Sequence, residues 1–183
     1  MPALDPPRST AERVRDTRAR LAADIDVWVA TASAEGVPYL VPLSYLWHGG
    51  RIVMATSERT ATVRNLRRGS PVRLALDGLR DVVLIDADVA FVAAGDLDQA
   101  VADAYAAHAG WDPRADATST WLVATPARIR AWREVNELPG REIMRGGAWL
   151  APVAGGETGQ RSAGGRGTDG GTDESDERGG AGG

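Results

Sequence analysis

The chain has 183 residues and a formal charge of −4, and it contains neither cysteine nor lysine: all 21 basic residues are arginine. Disulfides, thiolate nucleophiles and cysteine metal sites are excluded, as is Schiff-base attachment of a cofactor to a lysine. With only His48 and His108, a histidine-rich metal centre is not expected, and catalysis falls to a bound cofactor.

Residues 1–8 form a Pro-rich, flexible lead-in. Ser9-Thr10-Ala11-Glu12 then has capping-box form, a hydroxyl followed three residues later by Glu, and predicts a helix to about Ala23. Its apolar stripe of Val14 and Leu21, with Arg18 between, is sparse enough to suit a helix laid across a surface. Asp26 to Ser33 reads as a strand. Pro38 to Trp47 is a second, with Tyr39, Val41, Leu43, Tyr45 and Trp47 pointing one way. His48-Gly49-Gly50 turns the chain into a third strand, Arg51 to Thr56. Pro42 cannot donate to a ladder, so its place mid-strand implies an edge, a bulge or a gap in the sheet.

A hydroxyl-rich turn (Thr56, Ser57, Thr60, Thr62) leads into a short helix carrying Arg64, Arg67 and Arg68 on one side and Val63 and Leu66 on the other. Pro71 to Leu76 and Asp81 to Ala93 are strands, and Leu97 to Ala109 is an Ala-rich helix. Ser119 to Thr125 and Ala127 to Glu134 read as two strands around Pro126. Arg141 to Leu150 is a last short piece with a turn at Gly146-Gly147. Six or more short strands, mostly hairpin-linked, make the protein mainly β and indicate an antiparallel barrel.

From Val153 onward almost no apolar residue occurs, so residues 153–183 are expected to be a disordered, Gly-rich acidic tail. The tail holds six acids against three arginines and so carries most of the net charge. The near-neutral body, residues 9–152, argues against broad nucleic-acid binding. No apolar run is long enough to span a membrane and no signal peptide is present, so a cytoplasmic protein is expected.

The turn at Thr56, Ser57, Thr60, Thr62 and Arg64 has the makings of a phosphate pocket: a strand feeding a helix start, with hydroxyls and a guanidinium nearby. An ordinary capped turn, with Thr60 as N-cap and the arginines solvated, has the same spacing. Asp86 and Asp88 share one strand face, opposite the apolar Ile85, Ala87, Val89 and Phe91, and are expected in water. Arg128, Arg130 and Trp132 form a basic, aromatic outward stripe suited to a ring system or a subunit contact. His48 is expected solvated in its turn, and His108 to favour the end of its helix.

Three stretches together resemble the pyridoxamine 5′-phosphate oxidase-like family of flavin-binding split barrels: Val-Ala-Thr-Ala-Ser with Glu-Gly-Val-Pro at 29–38, Thr62-Val63-Arg64-Asn65-Leu66-Arg67-Arg68, and Ala131-Trp132-Arg133-Glu134. The resemblance spans roughly residues 10–150. It implies an antiparallel six-stranded split β-barrel with flanking helices. It also implies a homodimer with two sites at the interface for FMN, or for the deazaflavin coenzyme F-420. By the same resemblance, Val41 and Leu43 approach the ring through backbone. Thr56, Ser57, Thr60, Thr62, Arg64 and Asn65 surround the phosphate end, and Trp132 and Arg133 reach in from the second copy. Many members carry a lysine at the position of Thr62, a charge that Arg59 or Arg64 would have to replace, and the substrate-binding basic residues of the authentic oxidase find no match here.

The expected activity is therefore flavin- or deazaflavin-dependent hydride transfer to or from a small substrate. The alternative is a non-catalytic split barrel binding flavin, haem or another planar ligand. Tyr39, Tyr45 and His48 are the side chains available for acid–base work. A weaker third idea gives Arg64, Arg67 and Arg68 a role on nucleic acid.

Overall fold

The structure, a computed structural model, describes residues 5–152; the expected tail 153–183 lies outside the described residues. Eight strands and three helices are present there: α1 (Thr10–Ala23), β1 (Asp26–Ala32), β2 (Pro38–His48), β3 (Arg51–Ser57), α2 (Ala61–Arg67), β4 (Val72–Leu76), β5 (Val82–Val92), α3 (Gln99–Ala109), β6 (Ser119–Trp132), β7 (Glu142–Arg145) and β8 (Ala148–Trp149). All pairings are antiparallel, in the order β3-β2-β1-β4-β5-β6-β7-β8, and pairing of β3 with β6 closes the first six into a barrel. Closure pairs β3 with β6 and leaves β8 as the edge of the sheet.

Alternation along each strand fills the barrel. Val27 and Val29, Tyr45, Ile52 and Met54, Leu74, Ile85, Leu122 and Ile129 all point inward and are buried. Helix α1 starts at the expected capping box, Ser9 accepting from the Glu12 backbone and Glu12 reaching back. It places Val14 and Leu21 over one end of the barrel, while Val63 of α2 enters the core near the far end of β1. Helix α3 lies outside, covering a second cluster of Val53, Ala55, Ala102, Tyr105 and Trp121. Its N-cap is Asp98, so its first residue, Gln99, comes two residues after the expected start.

Gly49 and Gly50, with φ of 55° and 76°, supply the left-handed pair that a two-residue hairpin between β2 and β3 requires. One strand boundary differs from expectation. Pro126 does not separate two strands but sits inside the continuous β6, where the pairing with β5 slips between Asp86 and Ala87. The slip accommodates a residue with no N–H to give the ladder. Arg8, at the end of the expected lead-in, is not loose: its guanidinium is held by three carboxylates.

Candidate functional site

Strands β2 and β3 pair only where Tyr45–His48 meet Arg51–Met54. Beyond that point they part: Pro38–Ser44 pair with β1 alone, and Ala55–Ser57 with β6 alone. The barrel is thus split along one seam, between the first half of β2 and the last residues of β3.

Which backbone groups face the seam follows from one hydrogen bond. The Tyr45 N–H donates to the Ile25 carbonyl at 2.7 Å, on the β1 side. Successive residues of a strand turn their N–H and C=O to opposite sides. Val41 and Leu43 therefore spend their backbone groups on Val29 and Val27 of β1. These two are expected to meet a ring through backbone; in this chain the groups that face the seam belong to Leu40, Pro42 and Ser44. Pro42 fits here because its missing N–H would point into the gap, so no ladder bond is forfeited.

Across the seam lies the hydroxyl-rich turn. Thr56, Ser57 and Thr60 are half-buried, and Arg64 is exposed. Ser57 Oγ and Thr118 Oγ1 are hydrogen-bonded to each other at 3.2 Å, and Thr60 Oγ1 caps α2 by accepting from the Val63 N–H at 3.3 Å. The Arg64 Nη1 donates to the Arg59 carbonyl at 2.6 Å, which leaves its other guanidinium N–H groups available. Arg67 pairs with Glu58 at 2.9 Å and covers the Phe91 ring at 4.8 Å. Helix α2 has only seven residues, so any anion held here depends on hydroxyls and guanidinium rather than on a helix dipole.

Two residues assigned to the phosphate end by resemblance are buried in this chain. Thr62 is 1 % exposed, and Asn65 is buried with its Nδ2 donating to Thr31 Oγ1 at 3.1 Å. Their side chains fasten α2 to the barrel. A lysine at Thr62 would have to bury its ammonium. Thr62→Lys is therefore expected to destabilise the chain by more than about 2 kcal/mol, read as a lowered denaturation midpoint, whatever it does to an anion.

Trp132 and Arg133 lie far from the turn within one chain. Thr56 pairs with Thr120, and Trp132 stands twelve residues further along β6, about 40 Å of strand. Trp132 is half-buried under the Arg141 guanidinium at 5.5 Å, and Arg133 pairs with Asp81 at 3.0 Å and Asp16 at 3.7 Å. Only a second copy could bring them to the seam.

The other candidates settle individually. Tyr45 is fully buried, its hydroxyl donating to the Arg20 carbonyl at 3.4 Å, and burial holds its phenol above the ordinary value, so it is not an acid or base for a substrate. Tyr39 is partly exposed and His48 sits exposed in the hairpin turn. Asp86 is no partner for Asp88; it bridges Arg73 at 2.7 Å and Arg130 at 3.3 Å. His108 ties α3 to the Asp24 carbonyl at 3.1 Å. Among the described residues no group of three or more His, Asp or Glu is arranged to hold a metal ion, and no helix is long and apolar enough to cross a membrane.

Sequence reading missed two features. One is the buried Glu137, whose carboxylate accepts from the Arg8 N–H, the Arg8 guanidinium and the Arg133 N–H at 2.7–2.9 Å. The Arg8 guanidinium is the main reason that its pKa falls to about 2. The partners are 129 residues apart, and no local pattern links them. The other is Tyr105, whose one legible signal is a large polar ring in an otherwise Ala-rich helix. Two recesses, of about 700 Å³ beside Gly140 and Arg141 and about 570 Å³ beside Asp24 and Asp77, contain none of the seam residues.

A closed antiparallel barrel parted along one seam, with backbone free on one lip and hydroxyls and a guanidinium on the other, defines a split β-barrel with a built-in cleft. The sequence model described as pyridoxamine 5′-phosphate oxidase matches residues 15–133, well over half the chain, and the protein belongs to that family. No curated protein matches the sequence. Among solved structures the fold is similar to an F-420 reductase (17% identity, 61% of this chain and 94% of that one, TM-score 0.52). It is also similar to a putative pyridoxamine 5′-phosphate oxidase from Listeria innocua (11% identity, 66% and 98%, TM-score 0.53). A haem-binding protein from Mycobacterium smegmatis is a third (22% identity, 79% and 60%, TM-score 0.54).

Proposed function

We propose that the protein is an oxidoreductase in which FMN, or the deazaflavin F-420, lies along the open lip of β2 in a homodimer. The observation that carries this reading is the backbone of Leu40, Pro42 and the Ser44 N–H, left out of strand pairing and facing the Thr56–Arg64 turn. A flavin's pyrimidine edge presents an N–H between two carbonyls, and Leu40 N–H and C=O, Pro42 C=O and Ser44 N–H offer complementary partners. The hydroxyls of Thr56, Ser57 and Thr60 and the guanidinium of Arg64 receive the phosphate end. Trp132 and Arg133 of a second copy cover the ring. The cofactor supplies hydride transfer; the chain binds it, orients it and excludes water. Membership of an oxidase family and the fold shared with an F-420 reductase support this assignment.

The absorbance spectrum of the purified protein and titration with FMN and F-420 test it. Saturable binding is expected, weakened about tenfold to a hundredfold by Arg64→Ala, the loss of one charge-assisted hydrogen bond. Silence toward both cofactors at tens of micromolar removes the reading. A second reading, a barrel that binds flavin or haem without turnover, draws on the fold shared with the haem-binding protein and on the burial of Tyr45. A bound cofactor that no donor reduces would favour it.

A further inference from the structure

The seam opens at a definite residue pair. Tyr45 faces Met54, so in the same register the next pair is Ser44 with Ala55. Because the Tyr45 N–H points to the β1 side, Ser44 and Ala55 turn their backbone groups toward each other and ought to exchange two ladder hydrogen bonds. They do not pair. The hydroxyl of Tyr105 stands at the parting: it donates to the Ser44 carbonyl at 3.2 Å, and its ring packs in one cluster with Ala55.

The ring that delivers this hydroxyl has no freedom. Tyr105 is fully buried in α3, with Trp121 edge-on at 5.0 Å and Trp111 edge-on at 6.0 Å. His108, three residues on, anchors the same helix to the Asp24 carbonyl. The backbone groups beyond the parting also resist closure. Continued pairing would place Pro42 opposite Ser57, where proline can make only one of the two bonds.

We propose that Tyr105 is the positioning residue that holds the barrel open, its hydroxyl substituting for the Ser44–Ala55 ladder bonds and keeping Pro38–Leu43 off β3. Side-chain packing from α3 thus sets the width of the cleft from outside it. The consequence for ligand binding rests on the function proposed above; the strand geometry does not.

Tyr105→Phe keeps the ring and its packing and removes only the wedge. NMR on the full chain reads the result, because closure would bring the Hα atoms of Leu43 and Thr56, the next non-hydrogen-bonded pair, into close contact. That contact is expected to be absent in the native chain and present in Tyr105→Phe, with the Kd for FMN or F-420 raised about tenfold or more. Tyr45→Phe serves as the control, since it deletes a buried hydroxyl hydrogen bond on the same strand away from the parting, and it should leave both readings unchanged. The inference is overturned if Tyr105→Phe shows no new contact. It is equally overturned if the contact forms while affinity holds, or if Tyr45→Phe weakens binding as much. Should the native chain bind neither cofactor, the proposed function falls, and the Leu43–Thr56 contact alone decides the role of Tyr105.

Discussion

Alanine in place of Arg8 is expected to destabilise the folded chain by about 3 kcal/mol at neutral pH, the loss seen when one partner of a buried ion pair is removed. Glu137 is 4 % exposed and takes two hydrogen bonds from the Arg8 guanidinium, so the substitution removes both and leaves a buried carboxylate with backbone N–H donors but no counter-charge. The effect has a pH signature. Glu137 titrates near 2 in the folded chain against an ordinary 4.5, so its stabilisation is complete above about pH 4.5 and is lost as pH falls toward 2. The shift corresponds to about 3 kcal/mol, or roughly 6–12 °C in Tm for a chain of this size. Denaturation of both proteins at pH 7 and pH 3 should show a wide gap closing with acid. Equal midpoints at pH 7, or a gap that does not narrow, would show that the cluster does not stabilise the fold. The clasp ties the chain ahead of α1 to the segment after β6 through Glu137 and to the start of β5 through Asp81, and Arg8 also bonds Asp16 within α1.

Trp28→Asp is expected to disrupt the proposed homodimer, raising its dissociation constant by roughly two to three orders of magnitude, the range for an aromatic anchor at an interface. On the outward face of the barrel Trp28 stands opposite Pro42, and Ala30 opposite Leu40. Trp28 is 40 % exposed and Leu40 59 %, and Pro42 between them is exposed as well. Such a contiguous apolar patch on the lip of the proposed cleft fits a second copy, and the charged Arg73, opposite Ala30 on β4, borders it. The outward position of Trp28 means that Asp there leaves the core intact, so the circular dichroism spectrum should be preserved. Sedimentation should report a monomer, and cofactor affinity should fall with it, because Trp132 and Arg133 of the second copy are then missing. A native chain that sediments as a monomer at tens of micromolar would remove the dimer from the proposal. A variant that stays dimeric would move the interface elsewhere.

Much of this architecture was readable residue by residue. The capping box at Ser9 and Glu12, the alternation of β2 and the double glycine after His48 each express a local rule, and each element stands where its rule puts it. Pro42 announced an edge, a bulge or a gap, and of these it is a gap that the strands form there. Pro126 carried the same local signal with the opposite outcome, because a slip in the partner strand absorbed it. A proline reports only the missing N–H; whether the neighbour departs or shifts is decided by the neighbour.

The division runs along the range of the forces involved. The sequence by itself determined the helices, the strands apart from the break expected at Pro126, the barrel class, the family stretches and the absence of thiol and lysine chemistry, since these follow from side-chain period, turn chemistry and composition. Tertiary structure alone decided that Val41 and Leu43 face β1 while Leu40, Pro42 and Ser44 face the seam, that Thr62 is buried, that Arg8 meets Glu137, and that Tyr105 stands where a ladder bond should be. Each of these joins residues distant in sequence or depends on which side of a strand is already taken, and neither spacing nor composition records that.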